Sequence, residues 1–333
     1  MNHVRWTFWL FSLLGLLVAV MMLSLSVGAA GIPVTKIIPV FLEGRGSAEY
    51  SILFDIRLMR IILGFAIGGS LSLAGVILQG LFRNPLVEPY TLGISGGAAL
   101  GVAINVALGL AVSGRITGPL AGVLGAGLVL VFLYFSNLRM GVIKLQGLLL
   151  NGVMISFICS SLVMLLMALS SRESLQGIIF WIMGCLGESE VSLIWSMFIA
   201  AWVLLVAAYF FCLPLNALAL GEEEAQHLGV PVECTKRSLF FLAAVLTGFC
   251  VAVAGMIGFV GLVVPHLMRR LVGHDHRILL GASFLAGAIF LIFCDMLART
   301  IIAPLELPVG VITGIVGGSL FVYALSRGEV DHA

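Results

Sequence analysis

The feature that most constrains this chain is a succession of apolar stretches near residues 8–29, 61–80, 91–111, 117–135, 147–168, 191–212, 237–255, 278–297 and 309–325. Each approaches the roughly 20 residues an α-helix needs to cross bilayer hydrocarbon. A soluble core has no room for them. Hydrophobic residues make up 61% of the 333 and charged ones 10%, against roughly 25% charged in an ordinary soluble domain. Lipid must therefore solvate most of this surface, and the expected fold is all-α and polytopic. The first stretch follows Arg5 and ends near Gly28-Ala29-Ala30-Gly31, as a secretion signal would. It is longer than the roughly 7–15 residues of a signal's apolar region, so it is read as an uncleaved first helix.

Charge placement sets the crossings. The polar connector Leu215–Lys236 and the basic cluster Arg269, Arg270 and Arg277 both read as cytoplasmic under the positive-inside tendency, yet a single stretch, 237–255, separates them. A return crossing is required, and Met256–Leu267 must supply it as a short, broken helix. About ten transmembrane helices follow, with both termini inside and residues 1–333 forming one transmembrane domain. Arg5, Arg83, Arg139, Lys144, Lys236, Arg237, Arg269, Arg270, Arg277 and Arg327 then lie inside. Lys36, Arg45, Arg57, Arg60, Arg115, Arg172 and Arg299 lie outside, which the tendency disfavours.

An internal echo fits this layout. Ala74-Gly75-Val76-Ile77 with Pro85-Leu86 is matched by Ala254-Gly255-Met256-Ile257 with Pro265-His266-Leu267, the two copies starting on opposite sides. Inverted-topology repeats of this kind serve alternating access in many transporters. Gly64/Gly68, Gly93/Gly97/Gly101, Gly118/Gly122 and Gly310/Gly314/Gly318 follow the small-xxx-small spacing that lets helices pack closely.

Several functions are disfavoured. A net charge of +1 without a long basic run gives no nucleic-acid surface. No G-x-x-x-x-G-K-[ST] loop is present to cradle nucleotide phosphates. The spans hold almost no acids except Asp295, near an outer helix end, whereas ion-coupled carriers usually place Asp, Glu or His inside the membrane. The six cysteines form no CxxC pair and read as small buried hydrophobes. His274-Asp275-His276 sits in a solvated connector beside Arg277, a poor setting for a metal.

Several blocks then occur in a telling order: Arg57-Leu58-Met59-Arg60; Gln79-Gly80-Leu81-Phe82-Arg83-Asn84-Pro85-Leu86-Val87-Glu88-Pro89; Leu92-Gly93-Ile94-Ser95-Gly96-Gly97-Ala98; Leu215 to Glu222 with His227-Leu228-Gly229-Val230; Gly258-Phe259-Val260-Gly261-Leu262 with Pro265-His266; Asp295 with Arg299; and Glu306-Leu307-Pro308-Val309-Gly310. From about residue 55 to 326 the chain resembles the permeases of type II ATP-binding-cassette importers for ferric siderophores, haem and cobalamin. It departs from that pattern at Met59, where a proline is usual, and at Gly318-Ser319-Leu320, where a Gly-Xaa-Pro run is usual.

The resemblance implies an inverted-repeat homodimer in a prokaryotic cytoplasmic (inner) membrane, surrounded by lipid. Its partners would be two ATPase subunits, which hold ATP and Mg, and an extracytoplasmic substrate-binding protein. This chain would carry no cofactor, no metal and no catalysis. The expected cargo is a metal chelate, ferric siderophore first and cobalamin or haem next. A secondary transporter with inverted repeats is the alternative. By resemblance Arg57, Arg60 and Arg299 meet acids on the binding protein, although pairing with Asp295 or with lipid headgroups would also explain them. The segment at about 215–231, with Leu218, Leu220, Gly221, Glu222, Leu228 and Gly229, would couple to the ATPase. Asn84, Leu86, Leu145 and Gln146 would form a cytoplasmic constriction.

Overall fold

The structure is a computed structural model, and it describes residues 2–28, 31–44, 46–110, 117–139, 142–143, 145–187 and 190–326. Arg45, Arg115, Lys144 and Arg327, assigned to one side or the other above, lie outside the described residues or, for Lys144, between them.

Eight helices are long and apolar enough to cross a membrane: Val4–Ser26, Ala48–Phe82, Thr117–Asn137, Leu145–Leu169, Val191–Tyr209, Val232–Ala254, His276–Ala298 and Val309–Ser326. The helices are numbered in chain order as α1 (Asn2–Ser26), α2 (Val34–Glu43), α3 (Ala48–Tyr50), α4 (Leu58–Phe82), α5 (Ile94–Ala107), α6 (Thr117–Asn137), α7 (Leu145–Leu169), α8 (Arg172–Ile182), α9 (Val191–Tyr209), α10 (Cys212–Leu220), α11 (Glu222–His227), α12 (Val232–Ala254), α13 (Val260–Val272), α14 (His276–Ala298) and α15 (Val309–Ser326). A π-helical turn, Ser51–Arg57, joins α3 to α4 without a break. Between α6 and α7, Leu138–Arg139 pairs antiparallel with Val142–Ile143.

The two remaining expected crossings are shorter than the pattern predicts. The stretch 91–111 yields only α5, 14 residues, which rise about 21 Å against a hydrocarbon core of about 30 Å. The broken helix expected at 256–267 is found displaced, as α13 at Val260–Val272, after five residues without helix. The backbone marks the shift at both ends. Gly255 ends α12 at φ 72°, and Phe259 caps α13 at φ 68°, a left-handed conformation rarely taken by an aromatic residue.

The core is a bundle of α4, α12, α13 and α14. α4 is buried along nearly its whole length, which is why it shows no polar face. It lies antiparallel to α14, and a Cβ at Gly68 or Gly287 would run into the other's carbonyl oxygen. Gly97 and Gly125 bring α5 and α6 together in the same way. The expected glycine stripes hold only in part. Gly118 and Gly314 face no neighbour, and Gly93 stands just outside α5 as its cap, at φ 75°.

The repeat is offset from its sequence echo. Gly75 is buried mid-helix in α4, where a Cβ would meet the Gly261 carbonyl, whereas Gly255 terminates α12. What repeats is a long helix, a break, and a short helix entered through a left-handed residue. α4 leads through Arg83 (φ 48°) to Gly93 and α5; α12 leads through Gly255 to Phe259 and α13.

The backbone from Arg83 to Gly93 re-enters the bundle between α4 and α5. Pro89 packs at Gly261, which also meets the Leu71 carbonyl well inside α4. Its buried position satisfies α13's unwound start: the Ile257 N–H donates to the Tyr90 hydroxyl (2.8 Å) and the Phe259 N–H to Glu88 Oε1 (2.7 Å). Irregular backbone at membrane depth needs such partners.

Candidate functional site

The polar groups gather at the two ends of the bundle. At one end Arg5 Nη2 donates to the Leu271 carbonyl (2.9 Å) and Arg277 stacks over Trp6. The start of α1, the end of α13 and the start of α14 therefore share one face. At the other end Ser24, Leu25, Arg57, Arg60, Asp295, Arg299 and Glu306 meet.

At that second end the structure resolves the arginine question geometrically. Asp295 is 2% exposed and bridges two cations: Arg60 Nη2 donates to Oδ1 (3.0 Å) and Arg299 Nε to Oδ2 (2.9 Å). Arg60 Nη1 also donates to Glu306 Oε2 (2.7 Å), and Arg299 Nη2 to the Ser24 hydroxyl (2.7 Å). Arg57 Nη1 donates to the Leu25 carbonyl (2.6 Å). Arg57, Arg60 and Arg299 are 4%, 8% and 6% exposed, so they are not free surface cations. All three nonetheless line one pocket of about 210 Å³, with Ile56, Pro304 and Glu306 on its walls. Pairing with Asp295 was one reading the sequence allowed; the second acid, Glu306, was beyond its reach.

At the first end, the segment at about 215–231 falls in α10 and α11. They are split at Gly221, whose φ of 138° excludes other residues without strain. Gly229 and Pro231 lie in the turn that joins α11 to α12, and Val232–Lys236 already belongs to α12. Leu218 is buried, Gly221 is buried, and Glu222 is half-buried, while Gly229 is exposed. Leu220 and Leu228 stand 67% and 65% exposed. Lys236 Nζ pairs with Glu222 (3.0 Å) and Glu233 (2.6 Å), tying α11 to α12.

A cavity of about 610 Å³ opens beside this segment. Its walls include Asn84, Leu145 and Gln146 from the expected constriction and Leu218 and Glu222 from the coupling segment, with Arg83 and Lys236. Leu86 does not line it. It is exposed, and its N–H donates to Asn84 Oδ1 (2.9 Å), which holds the turn. Lys236 was missed as a partner of Glu222 because that contact joins α11 to α12 across the turn between them, whereas its pairing with Glu233 is a local i,i+3 contact within α12.

Asp275, within the His274-Asp275-His276 run, caps α14 by accepting from the Arg277 N–H (3.0 Å). Its side-chain bonds with Arg277 hold its carboxyl well below the usual carboxylate range. Among the described residues no group of three His, Cys, Asp or Glu is placed to hold a metal.

A multi-pass helical bundle with short helices entered through unwound backbone is the architecture of a membrane permease, and the comparisons place it in the ATP-binding-cassette importer class. The chain belongs to the FecCD transport family, which it matches over residues 16–327. It is 40% identical to the hemin transport system permease protein HmuU of Yersinia pestis, over 84% of each chain. It is 36% identical to the vitamin B12 import system permease protein BtuC of Klebsiella pneumoniae, over 96% of this chain and 93% of that one. A solved structure described as an inward-facing conformation of a metal-chelate type ABC transporter superposes with a TM-score of 0.85 at 31% identity, covering 97% of this chain and 99% of that one. In this family ATP hydrolysis resides in a separate subunit, so the chain is not itself an enzyme.

Proposed function

We propose that the chain pairs with a second copy of itself around one central pathway and carries a bulky metal chelate into the cytoplasm. The proposed setting is a prokaryotic inner membrane with both termini inside. The observation that carries the mechanism is the shared cavity, where constriction residues Asn84, Leu145 and Gln146 face coupling residues Leu218 and Glu222 across about 610 Å³. A movement of α10 and α11 would change this space directly.

Two ATPase subunits, which supply ATP and Mg, would seat on the segment at about 215–231. Leu220 and Leu228 offer exposed apolar side chains there. The Glu222–Lys236 pair would pass the displacement to α12. On the far side, an acidic side chain of the binding protein would enter the 210 Å³ pocket and reach Arg57, Arg60 and Arg299, in competition with Asp295 and Glu306. Charge placed this way orients a partner more than it tightens it.

Spans nearly free of acids suit a cargo that shields its own metal. The relatives named for hemin and vitamin B12 put those two chelates first, ahead of the ferric siderophore expected from the residues alone. A secondary transporter has no support once the family is assigned.

The test is to replace Gly221 with Trp, or Glu222 with Lys, in the complex with its ATPase. Membrane insertion should persist, while ATP hydrolysis continues without uptake. Uptake at the parental rate in both variants would defeat the coupling role.

A further inference from the structure

A second pocket, of about 220 Å³, lies beside the first and serves no step described so far. It is lined by Gln79, Gly80, Arg83, Asn84, Pro85, Ala219, Arg269, His274 and His276. Two arginines and two histidines are among the lining residues, and no carboxylate is. Arg269 is buried, and its side chain donates to the neutral Gln79 Oε1. Gln79 cannot turn to offer more, because its amide donates to the Gly261 and Leu262 carbonyls (3.1 and 3.3 Å). The adjacent acid, Asp275, is already engaged by Arg277 through both carboxylate oxygens (2.5–3.0 Å). Arg83 reaches the pocket from a left-handed position, φ 48°, where glycine is the usual helix terminator. A buried cation with no opposite charge is costly, and an anion relieves that cost.

His276 says which anion. It is 4% exposed, and its Nε2 has no hydrogen-bond partner among the described residues. Its tautomer is fixed by a chain of bonds. Asn216 Nδ2 donates to Asp275 Oδ1 (2.9 Å), so Asn216 Oδ1 must accept, and it receives the His276 N–H (2.9 Å) and Nδ1 (2.8 Å). With Nδ1 bearing the proton, Nε2 of the neutral ring presents a lone pair and requires a donor. The pocket thus asks for a ligand with negative oxygens for the two arginines and an O–H for the imidazole. Inorganic phosphate has both at neutral pH. Sulfate and carboxylates have no O–H to give.

We propose that this pocket, at the meeting of α4, α10, α13 and α14, binds a hydrogenphosphate group. Because Ala219 of α10 forms part of its wall, occupancy would brace the coupling helix against α13 and α14. The ligand's chemistry follows from the side chains and does not depend on which chelate is carried. Two sources share that chemistry: free phosphate and the monoester headgroup of phosphatidic acid.

The full chain, purified in detergent at low ionic strength, is titrated calorimetrically with potassium phosphate and separately with potassium sulfate. One phosphate per chain should bind, with sulfate weaker by roughly tenfold or more, the scale of one charge-assisted hydrogen bond. Arg83→Gln, at an exposed position, should weaken phosphate by a similar factor, and Arg269→Gln should abolish binding. Should Arg269→Gln fail to yield a monodisperse protein, Arg83→Gln and the sulfate comparison carry the test. Nanodiscs separate the sources. Loss of phosphate binding when phosphatidic acid replaces phosphatidylcholine assigns the site to the headgroup, and its persistence assigns it to free phosphate. Either supports the proposal. No saturable binding, sulfate as tight as phosphate, or unchanged binding in both folded variants would overturn it. So would a finding that no phosphate binds while Arg83→Glu abolishes association with the ATPase, which would make the pocket a receptor for a partner's carboxylate.

Discussion

Asp295→Asn is the most informative single substitution at the outer end. The change keeps the side chain's shape and removes the charge that two buried guanidiniums share. Arg60 would keep its bond to Glu306, whose side chain is 55% exposed, but Arg299 would keep only Ser24 and the remaining amide oxygen. Removing one partner of a buried pair costs about 3–5 kcal/mol, largely because the other charge is left uncompensated. The retained amide oxygen sets the expectation near the lower bound, about 3 kcal/mol. Equilibrium unfolding in mixed micelles, followed by tryptophan fluorescence, measures it. Arg299→Gln in the Asp295→Asn background should recover at least half the loss, because it removes the stranded charge. Glu306→Gln serves as the solvent-side control and should cost about 1 kcal/mol or less. Asp295→Asn within about 0.5 kcal/mol of the parent, the scale of an ordinary surface change, would refute the reasoning. So would a double variant in which the two losses simply add.

Two further outcomes follow from the same geometry. Arg57→Glu with Arg60→Glu should weaken association with the binding protein and flatten its salt dependence, and acid-to-base changes on the partner should restore it; parental binding at low salt would remove these arginines from the docking site. Cysteine at position 274, in the exposed connector between α13 and α14, should react only with reagent on the cytoplasmic side, and labelling from outside would overturn the crossing assigned to α13.

Much of the bundle was legible because lipid imposes length. The runs at 117–135, 147–168, 278–297 and 309–325 fall within helices observed at nearly the same limits, since a helix that must cross hydrocarbon is bounded by its own polarity. The short crossings were harder. α13 begins at Val260, later than hydropathy places it, because its start is held by Glu88 and Tyr90 from a distant reversal. Those contacts depend on tertiary packing, and neither residue announces them locally. The glycine spacing meets a second backbone of this chain at Gly68, whereas at Gly118 and Gly314 no part of this chain comes within 4 Å, a difference that spacing alone does not sort. The positions named for the constriction and the coupling segment lie far apart in the chain, yet five of them share one cavity. That convergence became visible only in three dimensions. Arg57, Arg60 and Arg299 read as external cations from their sequence positions, and their burial around Asp295 was one of two outcomes the residues allowed.

The central claim is ATP-driven import of a metal chelate through a pathway this chain forms. The direct measurement reconstitutes the chain with its ATPase and binding protein in proteoliposomes, with ATP enclosed on the ATPase side, and follows hemin, vitamin B12 and a ferric siderophore on the binding-protein side. Uptake of one of these chelates should require ATP, both partners and an intact Glu222, and should be indifferent to collapse of proton and sodium gradients. Uptake that proceeds without ATP and stops when an ion gradient is collapsed would contradict it.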